Sequence, residues 1–164
     1  MTVDEAAALA IEAHGGQVDL NGVPYREHLR AVAEGLTSFG EPLRMAGWLH
    51  DILEDTPMTP GDLRAAGIPD RVVEIVQRVT KPADADYLNM IRKIATDPDA
   101  TLVKIADNAH NSIPERSAAI GDPGKRRELA ERYRQARRIL WPATAAGNVE
   151  AIVSRVNPAL LGEL

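Results

Sequence analysis

Residues 49–56 read Leu49-His50-Asp51-Ile52-Leu53-Glu54-Asp55-Thr56. Upstream, Pro42 suits the first turn of a helix. Met45, Ala46, Leu49 and Leu53 follow at helical spacing, so the stretch reads as the last turns of one helix running through Leu53. Adjacent His and Asp project about 100° apart on a helix. Both reach one cation only if it sits over the ridge between them, and other helices must then complete its coordination. Glu54 falls four residues after His50 and Asp55 four after Asp51, one turn along on the same sides. Such a cluster among apolar residues repels itself unless a cation or proton intervenes. The alternative is an acidic helix end exposed to water, a poor placement because helix C-termini prefer positive charge.

Helical signals continue outward in both directions. Thr2 and Glu5 form a capping box before Val3, Ala6, Ala10 and Ala13. Gly15 to Pro24 reads as loop, punctuated by Gly15, Gly16, Asn21-Gly22 and Pro24. A second helix is predicted over Arg26–Phe39, with Leu29, Val32, Ala33 and Leu36 inward and Gly40 as its stop. Thr59-Pro60 caps a short helix that Gly67 ends. Pro69 opens another through Val72, Val73, Ile75, Val76 and Val79; its β-branched content admits a strand, but Glu74, Gln77 and Arg78 fall on one helical face. Further helices are predicted over Tyr87–Ala95, from Asp97-Pro98 to Asn111, over Lys125–Leu140 and near Val149–Val156. No repeat, low-complexity tract or hairpin signal stands out. The expected class is all-α, a helical bundle forming one domain over residues 1–164, with a tail from about 142 to 164.

Composition narrows the chemistry. The sequence has 164 residues, is 45% hydrophobic and only 4% aromatic, so aliphatic side chains and alanine must fill the core. With no Cys, any metal is held by nitrogen and oxygen. No apolar run is long enough to span a bilayer, and the acidic N-terminus lacks the basic segment of a signal peptide, so a cytoplasmic protein is expected. The net charge of −5 argues against nucleic acid as a partner. That charge is uneven: residues 1–80 carry 6 Lys/Arg against 13 Asp/Glu, and residues 81–164 carry 13 against 11. An acidic half suited to a cation then faces one better able to meet phosphates, although solvated helix faces give the same pattern.

A second cluster lies in Val103-Lys104-Ile105-Ala106-Asp107-Asn108-Ala109-His110-Asn111. Lys104, Asp107 and Asn111 share one helical face, which offers a cation, a carboxylate and an amide to a phosphorylated ligand beside a metal. A solvated stripe with an ion pair is the plainer reading. His28, early in an amphipathic helix, says little alone; His14 and His110 read as structural or capping residues, and Tyr133 as either a core residue or a nucleotide contact.

Together these residues resemble the hydrolase domain of RelA/SpoT-type enzymes. The resemblance rests on Ala13-His14-Gly15-Gly16-Gln17, Asn21-Gly22-Val23-Pro24-Tyr25 with His28, the HD signature at 49–56, Val79-Thr80-Lys81, and Val103–Asp107 with Asn111. These blocks stand in family order over about residues 9–140. The resemblance implies an HD-domain helical bundle with one Mn²⁺, or another divalent ion, on His28, His50, Asp51 and Asp107. It implies hydrolysis of the 3′-pyrophosphate of guanosine tetra- or pentaphosphate, with Glu54 and Asp55 activating or orienting water. Lys104 and Asn111 would lie at the nucleotide, and Tyr133 is the further contact expected from the C-terminal helix. The length is that of the small, hydrolase-only members. Three positions depart from the family: Asp19 and Asn108 stand where basic residues are usual, and Leu29 replaces the usual Pro. The alternatives are an HD hydrolase acting on a nucleoside monophosphate or dinucleotide phosphate, and a non-catalytic nucleotide-binding regulatory module.

Overall fold

The Thr2 hydroxyl accepts the Glu5 N–H and the Glu5 carboxylate accepts the Thr2 N–H, starting helix α1 (Val3–His14) with the expected capping box. In a computed structural model describing all residues 1–164, nine further α-helices follow. They are α2 (Arg26–Gly35), α3 (Glu41–Leu49), α4 (Ile52–Asp55), α5 (Pro60–Ala65), α6 (Asp70–Val79), α7 (Tyr87–Ile94), α8 (Pro98–Asn111), α9 (Pro123–Leu140) and α10 (Ala146–Val156). Short 3₁₀ turns occupy Thr37–Phe39, Pro114–Ser117, Trp141–Ala143 and Pro158–Glu163, and one isolated antiparallel bridge joins Val18 to Pro24. The architecture is all-α, and no helix is long and apolar enough to cross a membrane.

α8 is the axis of the bundle. The Asp97 side chain caps it by accepting the Asp99 and Ala100 N–H groups, and Pro98 fills its first turn. Val103, Ile105, Ala106 and Ala109 are buried against α2, α3, α6 and α10. α6 settles the strand question through packing: Val72, Val73, Ile75, Val76 and Val79 form a buried stripe while Gln77 and Arg78 face water.

Two expected helices are revised. The second stops being α-helical at Gly35 and tightens into the Thr37–Phe39 turn instead of running on to Phe39. The third is not continuous through Leu53: it ends at Leu49, and α4 restarts at Ile52. Asp51 stands between them at φ −100°, ψ 0°, the bridge region where turn and site residues collect. The segment after Pro142 packs with the rest, burying Val149, Ile152 and Val153 against α8 and α2.

One glycine determines how closely α2 and α3 approach. A Cβ on Gly47 would stand 2.7 Å from the Ala33 Cα and 3.0 Å from its backbone N, so the two helices touch there backbone to backbone. His50 lies one turn beyond that contact on α3, and His28 starts α2 on the other side of it.

Candidate metal centre and adjoining cavities

The α2–α3 crossing and the buried face of α8 bring four groups together. His28, His50 and Asp107 are 1%, 3% and 5% exposed, and their ligating atoms all lie within 4.8 Å of one another. His28 Nε2 stands 3.2 Å from His50 Nε2 and 3.1 Å from Asp107 Oδ1, and His50 Nε2 is 3.4 Å from the same oxygen. Asp51 Oδ2 joins at 3.1 Å from His50 Nε2 and 3.6 Å from His28 Nε2. Atoms sharing one ion at about 2.1 Å stand about 3.0 Å apart in an octahedron and about 3.4 Å apart in a tetrahedron. The separations among His28, His50 and Asp107 are those of ligands around a single small cation, and Asp51 stands within reach of the two imidazoles but outside that mutual cluster.

The break between α3 and α4 makes this possible. On a continuous helix His50 and Asp51 would project about 100° apart. At the break, Asp51 turns its carboxylate toward the imidazole next to it.

Hydrogen bonds behind the four groups orient them. The His50 Nδ1–H donates to the Gly47 carbonyl at 2.7 Å, which directs Nε2 inward toward the two carboxylates. His28 Nδ1 meets His110 Nδ1 at 2.7 Å, their rings 4.9 Å apart. With His28 Nε2 directed at a cation, its Nδ1 carries the proton and His110 accepts it. Burial, followed by His28 itself, lowers the His110 pKa to about 3, so a neutral acceptor is its natural state. His110 is thus placed to orient His28, accepting from its Nδ1 whenever a cation takes Nε2. Tyr25 is a second residue to which the sequence analysis gives no role of its own: its hydroxyl donates to Asp51 Oδ2 at 2.6 Å. Its place at the end of the Asn21–Tyr25 block, three residues before His28, was the available signal.

Lys104 and Asn111 both reach Asp107. Lys104 Nζ donates to Oδ2 at 2.8 Å and Asn111 Nδ2 to Oδ1 at 2.9 Å. Burial opposes ionisation of Asp107 and Asp51, yet Lys104 with the imidazoles holds Asp107, and His50 holds Asp51, well below the usual carboxylate range. Burial also opposes a charge on His50, but Asp51 and Asp107 raise it well above its ordinary value. Two buried carboxylates demand positive charge between them.

The acidic pair after Asp51 divides. Glu54 turns to the cavity and accepts the Lys81 N–H. Burial of its carboxylate raises its pKa, the Lys81 contact opposes the rise, and Asp51 adds to it. Asp55 instead accepts from Gln17 Nε2 at 3.2 Å and lies outside the cavity lining. The cavity, about 270 Å³, opens over Asp51 and Asp107, with Lys81, Lys104, Arg132 and Tyr133 in its wall. A neighbouring cavity of about 300 Å³ is lined by Val18, Leu20, Leu129 and Arg116, and the two share Tyr25, Asn111, Leu129 and Tyr133.

The departures acquire structural roles. Asn108 is buried and bridges α8 to α9, donating to the Tyr133 carbonyl at 3.1 Å and accepting from Arg137. Asp19 accepts the Asn21 and Val23 N–H groups with Oδ1, shaping its loop, while Oδ2 faces Arg116 Nη1 at 3.4 Å. Leu29 is fully buried in the core.

A model of the HD domain matches residues 6–135. The bifunctional (p)ppGpp synthase/hydrolase SpoT of Escherichia coli K12 is 35% identical over 140 residues, 77% of this chain and 19% of that protein. The guanosine-3′,5′-bis(diphosphate) 3′-pyrophosphohydrolase of Haemophilus influenzae is 32% identical over 136 residues, 75% of this chain and 20% of that protein. The chain thus spans about a fifth of the length of these curated relatives. A solved structure of a metazoan SpoT orthologue, described as hydrolysing ppGpp, superposes with a TM-score of 0.77 at 23% identity. It covers 96% of this chain and 94% of its own, a likeness of fold.

Proposed function

Because the chain belongs to the HD-domain family, among the RelA/SpoT-type hydrolases, we propose that it is a metal-dependent phosphohydrolase removing the 3′-pyrophosphate of guanosine tetra- or pentaphosphate. The observation that carries this reading is the convergence of His28 Nε2, His50 Nε2 and Asp107 Oδ1 at 3.1–3.4 Å, with Asp51 Oδ2 at 3.1 and 3.6 Å from the two imidazoles. Two neutral imidazoles and two carboxylates balance a divalent charge, and an all nitrogen and oxygen set suits Mn²⁺. A bound divalent ion would acidify water and withdraw charge from phosphoryl oxygens.

The protein's own groups supply the rest. Glu54, its carboxyl pKa raised by burial, takes the proton of the attacking water, and Asp55, held by Gln17 outside the cavity, acts on the reaction only by positioning the segment that carries Glu54. The water oxygen bonds to the phosphorus on the 3′-oxygen. The bond between them breaks, pyrophosphate leaves, and the 3′-oxygen takes up a proton. Lys104 and Asn111, bonded to Asp107 and both in the cavity wall, meet the nucleotide beside the metal, and Lys81 and Arg132 offset phosphate charge from the same wall. Tyr133, between the two cavities, lies against the nucleoside.

Incubating the protein with guanosine tetraphosphate and Mn²⁺ should release pyrophosphate and guanosine 5′-diphosphate. His50→Ala and Asp51→Ala should each lose both metal binding and turnover, and full activity in either would refute the site. Asp19 and Asn108, acidic and neutral where the resemblance leads one to expect basic residues, favour one second reading: the same chemistry on another nucleotide. Orthophosphate instead of pyrophosphate from a nucleotide panel would select it.

A further inference from the structure

Arg116 belongs to none of the motifs above, yet it lines the cavity next to the metal centre. It sits in the Pro114–Ser117 turn directly after α8, and its side chain is 18% exposed. Two contacts clamp this segment to the 15–25 loop: Asn21 Nδ2 donates to the Glu115 carbonyl at 2.6 Å, and the Ala119 N–H donates to Asn21 Oδ1 at 3.2 Å. Held between them, the guanidinium meets Asp19 Oδ2 through Nη1 and Asn111 Oδ1 through Nη2, both at 3.4 Å, while its Nε is buried without an acceptor. A guanidinium carries five N–H donors. Two contacts at the long limit of hydrogen bonding leave most of that capacity unspent.

The surroundings decide what the remaining donors suit. Val18, Leu20, Leu129 and Tyr133 make the other walls apolar, the lining expected for a flat heterocycle. The two cavities share Tyr25, Asn111, Leu129 and Tyr133, so a nucleotide with phosphates over Asp51 and Asp107 leaves its base on the Val18 and Leu20 side. Asp19 cancels the charge of Arg116. The pair therefore offers directional donors without net charge, which fits a neutral base better than a phosphate.

We propose that Arg116, positioned by Asp19 and Asn111, is a base-reading residue that selects guanine over adenine by donating to the guanine O6 and N7 edge. Guanine presents two acceptors there, which an Arg fork meets at once; adenine presents one acceptor and one donor. The proposal rests on the nucleotide-hydrolase reading above. It also explains Asp19: the acidic residue anchors a cation supplied from a different segment.

Equilibrium binding to the full chain with Mn²⁺ tests it, using the 5′-diphosphates of guanosine, inosine, adenosine and 7-deazaguanosine. Guanosine and inosine keep both acceptors, whereas adenosine and 7-deazaguanosine each lose one. The wild type should bind the first two about 10-fold more tightly than the last two. Arg116→Ala should level all four, and Arg116→Lys, which keeps the charge but not the fork, should lose most of the preference. A uniform loss of affinity in Arg116→Ala, or a preference that survives it, overturns the assignment. A wild type that releases pyrophosphate from guanosine tetraphosphate but binds all four alike overturns the role of Arg116 alone. One that neither turns over nor binds any of them overturns the function with it.

Discussion

Gly47→Ala is the most exacting perturbation of the geometry described above, because it alters no ligand side chain and leaves the Gly47 carbonyl that orients His50 in place. The added Cβ would meet the Ala33 Cα at 2.7 Å and the Ala33 N at 3.0 Å, both backbone atoms that no rotamer change can move. Unbonded carbons rest about 3.5–4.0 Å apart, so relieving the clash requires α2 and α3 to part by about 1 Å. Overpacking of this kind costs about 1–3 kcal/mol. For a chain of this length that corresponds to a fall in Tm of about 3–10 °C. The same displacement separates His28 on α2 from His50 on α3. Their Nε2 atoms, now 3.2 Å apart, would approach the about 4.2 Å that is the widest two ligands can span across an ion at about 2.1 Å. Thermal melting with and without Mn²⁺, with a metal titration of the folded protein, reads both effects. Expected are a lower Tm without metal and a loss of metal affinity out of proportion to it. Adding Ala33→Gly should not rescue the variant, because the clash is with backbone. A Gly47→Ala protein with unchanged Tm and unchanged Mn²⁺ affinity would refute the close crossing as the device that sets the site.

Three further outcomes follow from the same contacts. His110→Ala removes the acceptor that fixes His28, and metal affinity should fall about 10- to 100-fold with little change in metal-free melting; isothermal titration reads this, and unchanged affinity would leave His110 without an orienting role. Chelation should lower Tm, because a ligand held only by the folded state stabilises it by about 2.7 kcal/mol at 100-fold excess over its Kd; a melting curve indifferent to both Mn²⁺ and chelator would count against the centre. Asp97 concerns acid stability. Burial raises its carboxyl, but the cap on α8 and the partners Arg71 and Arg78 prevail and hold it below the ordinary value. Its stabilisation is therefore present above the unfolded carboxyl's pKa of 3.8 and is lost as pH falls through the folded one. Asp97→Asn keeps a capping oxygen without the charge, so it should cost about 1 kcal/mol near pH 7 and flatten the loss of stability below about pH 4, as urea unfolding across pH would show.

The helices were legible from the residues because capping, proline placement and apolar spacing are local. Thr2 with Glu5, Asp97-Pro98 and the Val72–Val79 stripe each carry their own signal, and each forms the expected element. The two polar clusters were visible as anomalies for the same reason: ionisable groups at helical spacing among apolar neighbours. The ordered motif blocks then pointed to the family, to which the HD match over residues 6–135 assigns the chain.

Other features depended on which segments meet in space. The helix break at His50 and Asp51 carries no proline or glycine, and a continuous helix satisfied the local pattern equally well. His110 and Tyr25 gain their roles from His28 and Asp51, which stand 82 and 26 residues away along the chain. Asp19 reads as a lost positive charge until Arg116, 97 residues further on, is seen beside it. Periodicity and capping act within a turn or two of the backbone, so a sequence announces its helices and its candidate ligands. Tautomers, ion pairs and the meeting of distant side chains are set by how those helices cross, and at Gly47 that crossing is decided by the absence of one carbon atom.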